Sequence, residues 1–337
     1  MRIKYLILLP LIFTALMYYS SCDDAGVNLN YFHQGVVNVT LNKFQAISPS
    51  VDGVYELWIV FDTSTGPYFR NIGSFNISPS GQIVDLSGNP KAFNLGSDTN
   101  FVNYAKYCFI TIGGNGNPND ARLVAGSFLQ YSDSATANLV MNDTNAVGRA
   151  MDPVINAVQA AMYILNEPTN NNNNCKSGVW FCDTLGNSSL PTGMGLDPNT
   201  SRWIFQGWVA DTSNPSNPVY RSTGRFYDPY SADMDGAGPC AGNGSFYNKP
   251  GQDWVTSGNG CPGTINLGSG FCQVFITLEP ANEAGPAQTS PFYVRLFWQN
   301  LIHPSLGCGT QDNLFSGKVT WNLIPSGHIQ ITKKVNL

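Results

Sequence analysis

The stretch "YELWIVFDTSTGPYFRNIGSF", residues 55–75, decides the fold because residues 205–226, "FQGWVADTSNPSNPVYRSTGRF", repeat its plan. Each copy passes from an apolar strand through a Pro-containing turn to a strand carrying Gly-x-Phe. This sets Trp58 against Trp208 and Gly73-Ser74-Phe75 against Gly224-Arg225-Phe226. Working outward, "YCFITI" (107–112) answers "QVFITL" (273–278), "LVAGSFL" (123–129) answers "FYVRLFW" (292–298), and "TANLV" (136–140) answers "TWNLI" (320–324). Matches that keep one order along the chain indicate a tandem duplication.

Within each copy the apolar runs are short, rich in β-branched and aromatic residues, and separated by turn clusters such as "SPSG", "SGNP" and "GGNGNPND". The pattern predicts an all-β chain of antiparallel sandwiches, with copy one over 35–145 and copy two over 146–337. Between them "DPVINAVQAAM" places Val154, Ile155, Val158, Ala161 and Met162 at helical spacing, so a short packing helix is expected. "YILNEPT" and "GVWF" then read as strands around the Asn170–Asn174 loop tip.

Composition excludes some functions. Charged residues make up 12% of the 337, the formal net charge is −5, and Lys/Arg clusters are confined to the termini, so nucleic acid is not an expected partner. Residues 1–21 carry a short basic start (Arg2, Lys4), an apolar stretch from Tyr5 to Tyr19 and then small residues, the layout of a secretory signal. A signal anchor is the alternative, although a span needs about 20 apolar residues. Tyr19-Ser20-Ser21-Cys22 resembles the lipobox of bacterial lipoproteins, with tyrosine in place of the usual leucine. The resemblance implies cleavage before Cys22, its lipidation, a tether over 22–34 and an exported protein held at the membrane. Several acyl chains anchor stably where one does not. An ordinary signal peptide, with Cys22 in a disulfide, is the other reading.

Eight cysteines are present. With Cys22 lipidated, Cys108 inside "YCFITI" is the odd one, expected as a buried thiol. The remaining six pair most economically as Cys175–Cys182, Cys240–Cys261 and Cys272–Cys308, one of fifteen connectivities. Zinc is the rival, but no C-x2-C pair occurs and only His303 stands near a cysteine, Cys308.

The order Y-E-x-W, G-x-F and F-I-T, joined in copy two by "GVWF", "STGRF", "DGAGP", "PGQDWV" and "ITLEP", resembles the extracytoplasmic C-terminal domain of anti-sigma-K-type factors. It is closer still to secreted bacterial proteins with two such domains. The resemblance spans roughly residues 35–337 and implies two tandem Ig-like sandwiches without catalytic residues. The helical cytoplasmic domain and membrane span of true anti-sigma factors have no counterpart here, so sigma-factor capture is not expected.

Chemistry-bearing motifs are few. His33, His303 and His328 accompany no G-x-S-x-G elbow, and the sequence brings no two of Glu56, Glu167, Glu279 and Glu283 together. Asp228, Asp233 and Asp235 in "YDPYSADMDGAGPC" offer hard oxygen ligands for calcium, but not at EF-hand spacing, and an Asp-Gly turn is the simpler account. Trp254, flanked by polar residues and glycine, is the surface tryptophan available for a ligand, while Trp58 and Trp208 belong in the cores. The expectation is a non-enzymatic, lipid-anchored envelope protein that interacts with an envelope protein or senses. The alternative is a lipoprotein that binds or degrades polysaccharide through the Asp228–Cys261 loops.

Overall fold

A computed structural model describes residues 34–96, 104–158, 161–166, 176–242, 248–281, 290–302 and 313–334. The chain is all-β and antiparallel. The first repeat supplies β1 (Gln34–Asn42), β2 (Val54–Thr63), β3 (Gly66–Ile77), β4 (Ala105–Gly113), β5 (Ala121–Ser127) and β6 (Ser134–Val140). After α1 (Met151–Asn156), the second supplies β7 (Met162–Leu165), β8 (Gly178–Trp180), β9 (Trp203–Asp211), β10 (Val219–Phe226), β11 (Cys272–Pro280) and β12 (Arg295–Gln299). The last strand is β13 (Ser326–Lys334).

The boundary expected at residue 146 does not contain the second unit. β13, at the C-terminal end, lies between β6 and β1 of the first repeat, pairing Ile329 with both Ala137 and Val39. It completes a ten-stranded sheet in which β3, β2, β4 and β5 form one arm and β6, β13 and β1 the other. A single pair, Ala125 with Val140, joins the arms. Leu57 and Ile59 of β2, Ile110 of β4, Leu139 of β6 and Ile329 of β13 then share one core. Linear reading cannot see this, because a returning strand's partners are set by burial of its apolar face.

In the second repeat β10, β9, β11 and β12 form one sheet with Gly317–Lys318, and β8 and β7 belong to another with Gly251–Asp253 and Asn313–Leu314. Phe181, next to β8, reaches Phe226 of β10 at 6.3 Å and Phe315 at 6.2 Å between ring centroids, so aromatic rings fill the space between the sheets. The same core cluster takes in both repeats. They are interleaved parts of one packed body rather than beads on a string.

The inter-repeat helix is shorter than its periodicity suggests. Val154 and Ile155 are buried on it, but α1 stops at Asn156, Val158 is 97% exposed, and Met162 already belongs to β7. The cysteine expectations divide. Cys240 and Cys261 are disulfide-bonded, and Cys108 is a buried thiol. Cys272 also carries a buried thiol. Its expected partner Cys308, together with Cys22 and Cys175, lies outside the described residues.

Candidate functional site

The two repeats match on the outer face of each main sheet. β2 and β3 slip register between Leu57 and Trp58, and β9 and β10 slip between Gln206 and Trp208. Gly73 and Gly224, the glycines of the Gly-x-Phe motif, take φ +144° and +102° beside these bulges, a region that disfavours side chains. A second pair of bulges follows, at Ile110/Thr111 in β4 against β5 and at Ile276/Thr277 in β11 against β12. Each sets an arginine opposite the threonine, Arg122 opposite Thr111 and Arg295 opposite Thr277. Each guanidinium lies 4.0 Å from the centroid of a phenylalanine ring, Phe109 or Phe275. The paired tryptophans donate indole N–H groups to the same threonines, Trp58 to Thr111 at 3.1 Å and Trp208 to Thr277 at 2.9 Å.

These pairings correct two of the matches. Arg122-Leu-Val-Ala125 answers Arg295-Leu-Phe-Trp298, so the match of 123–129 with 292–298 is out of register by four residues. The match of 136–140 with 320–324 fails, because Thr136–Val140 lies in β6 while residues 320–324 form a turn.

A cleft opens beside each stacked arginine. The first, about 650 Å³, is lined by Asp120, Arg122 and Asn145 of repeat one and by Asp197, Arg202 and Trp203 of repeat two. The second, about 550 Å³, is lined by Tyr220, Tyr293, Arg295 and Trp298 of repeat two and by Gln45 of repeat one. The arrangement is reciprocal. Trp203, which starts β9, donates to the Arg122 carbonyl at 3.0 Å, while Tyr55 near the start of β2 bonds the Tyr293 hydroxyl at 3.1 Å. No family model, curated protein or solved structure matches this chain.

Equivalent positions around the clefts differ in chemistry. Asp120 stands where the second repeat has Tyr293, and Gly113 where it has Glu279. A Cβ on Gly113 would fall 1.9 Å from Asp120 Oδ2, so the Asp120 carboxyl fills the space in which the Glu279 side chain begins. Burial raises the Asp120 pKa, and the Arg202 guanidinium opposes that rise. Glu56 is also buried and raised by desolvation, with the Gly116 N–H donating to its Oε1 at 3.2 Å. Glu279, fully buried, accepts from Trp208 Nε1 at 3.2 Å, from the Phe292 N–H at 3.0 Å and from the Thr277 hydroxyl. Burial pushes its pKa up to about 7 against those bonds and the nearby Arg225.

The residues singled out from sequence fall elsewhere. Trp254 is a core residue, 2% exposed, with its backbone N–H donating to the Ser177 carbonyl at 2.8 Å. Trp321, at 47%, is the exposed one. Asp228 turns both oxygens onto its own turn, accepting from the Tyr230 N–H at 2.9 Å and the Ser231 hydroxyl at 2.7 Å. Asp233 is buried, accepts from the Gly251 N–H at 2.8 Å, and has its pKa raised by burial and then by the Asp235 charge. Among the described residues no three carboxylate, histidine or cysteine side chains form a metal-holding group. His328 is exposed beside Asn138, at 3.0 Å. Sequence reasoning missed Arg122 and Arg295, although the shared Arg-Leu dipeptide was their signal.

Proposed function

We propose that this chain is exported, lipidated at Cys22 and held in the bacterial envelope, where its duplicated β units act as a non-enzymatic interaction or sensing module resembling anti-sigma extracytoplasmic domains. One observation supports a recognition role. The bulges, Trp–Thr bonds and Arg–Phe stacks are the same in both repeats, whereas the cleft linings differ, Asp120 answering Tyr293. A rigid duplicated frame with divergent clefts is suited to holding partners. The first cleft, with Asp120, Asp197 and Arg202, suits a polar partner carrying both charge signs.

Two measurements on bacterial cells expressing the full chain test the reading. Labelled palmitate should enter the wild type and not Cys22→Ala, and a crosslinked pull-down should return an envelope protein whose recovery falls with Arg202→Glu. Labelling that survives loss of Cys22 removes the anchor. Recovery indifferent to Arg202→Glu removes the first cleft as the contact.

A further inference from the structure

The second cleft has features that the first lacks. Its platform is Trp298, in β12, directly across the sheet from Gly317. A Cβ at Gly317 would lie 2.2 Å from indole Cε2 and 2.3 Å from Nε1, so the indole lies flat over the glycine. Any side chain there would tip the ring up. Below, the ring packs with Trp208, Ala210 and Phe275, and it remains only half-buried along the cleft.

Around this ring the described lining is uncharged except for Arg295. That guanidinium is already engaged, 4.0 Å from the Phe275 centroid with the Tyr220 hydroxyl beside it. Among the described residues no carboxylate lines the cleft; Gln45, Ser290 and Asn300 supply neutral hydrogen-bonding groups, and Gln45 and Asn300 are exposed at its rim. The volume, about 550 Å³, falls within the range of small-molecule sites.

We infer that this cleft is a binding site for a neutral saccharide. A pyranose ring has one face of C–H groups and a rim of hydroxyls. The C–H face stacks on a flat, half-open indole, and the rim matches side-chain amides that donate and accept. An anionic ligand would need a cation not already stacked on a ring, and a cationic ligand a carboxylate; the described lining offers neither. This goes beyond the proposed function and does not depend on it, since it concerns a different cleft and requires no anchor.

The test is calorimetric titration and saturation-transfer NMR of the full chain in detergent, with maltotetraose, cellotetraose, laminaritetraose and chitotetraose at concentrations up to about 10 mM. At least one should bind, with transfer strongest at its ring C–H protons. Trp298→Ala should weaken binding at least tenfold and Trp298→Phe by less, while Tyr131→Ala, exposed elsewhere, leaves it unchanged. If Trp298→Ala does not fold, Gln45→Ala and Asn300→Ala give the answer, each weakening binding severalfold with an unaltered melt. The site is overturned if none of the four sugars binds, if binding ignores both the Trp298 and the rim substitutions, or if a deca-proline peptide binds there in their place.

Discussion

Trp203 donates its indole N–H to the backbone carbonyl of Arg122 at 3.0 Å, so the second repeat is tied to the strand whose arginine covers the outer face of the first. The ring is 3% exposed and packs on Phe292 at 6.1 Å. Trp203→Ala should therefore cost about 3–5 kcal/mol, the usual range for removing a buried aromatic. Trp203→Phe should cost less, because it keeps most of the packing and loses only the bond. Urea unfolding followed by tryptophan fluorescence and by circular dichroism should give one coincident transition in the wild type. Separate transitions would mean that the repeats do not share a core.

Removal of the C-terminal strand should damage the beginning of the chain. β13 pairs with β1 from Gln34 to Asn42 and with β6 from Ser134 to Val140, and its Ile329 and Ile331 are fully buried. A chain ending at Pro325 leaves both neighbours with unpaired edges and uncovers the core beneath. Amide exchange in β1 should then approach that of an open strand, whereas exchange in β9 and β11 should change far less. A synthetic peptide of residues 326–334, added in excess, should restore protection in β1.

The likeness of the two repeats was legible wherever a residue type is demanded by geometry. Gly73 and Gly224 stand at positive φ beside a bulge, and Trp58 and Trp208 bond equivalent threonines, so both features recur at readable spacing. The Arg122 and Arg295 strands were mismatched because each bulge inserts a leucine, and an apolar run can be slid by four residues without visible penalty. Trp254 misled for another reason. Its polar neighbours face inward too: Gln252 and Asp253 are both buried, and Asp253 Oδ1 accepts from Trp180 at 3.2 Å. The two clefts were not legible at all, since each is assembled from repeats far apart in sequence.

Glu279 should make stability depend on pH near neutrality. Its folded pKa is about 7 against an ordinary 4.5, with burial as the leading cause. Below pH 4.5 both folded and unfolded chains hold the proton. Between 4.5 and 7 the unfolded chain releases it while the folded chain keeps it, so stability falls as pH rises, and above 7 this contribution is flat. The shift corresponds to a loss on the order of 3 kcal/mol across that window. Glu279→Gln should flatten the curve of melting temperature against pH there. Asp233, raised to about 8 mainly by burial, slopes in the same direction from its ordinary 3.8, so Asp233→Asn should remove part of what remains. A Glu279→Gln profile parallel to the wild type would show that Glu279 is ionised in the fold throughout.

Gly113 and Asp120 form a coupled pair that a double-mutant cycle can resolve. The Asp120 carboxyl sits over the glycine, and a methyl group there would lie 1.9 Å from Oδ2 and 2.7 Å from Cγ. Gly113→Ala must therefore push the carboxylate out of its place at the first cleft, and overpacking of this kind costs about 1–3 kcal/mol. Asp120→Ala alone empties the space and removes a group that also interacts with Arg202. In the double variant the new methyl meets no carboxylate, so the alanine at 113 should cost little, and the non-additivity should approach the full penalty of the single Gly113→Ala change. Equal costs of Gly113→Ala in the two backgrounds would show that Asp120 does not occupy that space in solution.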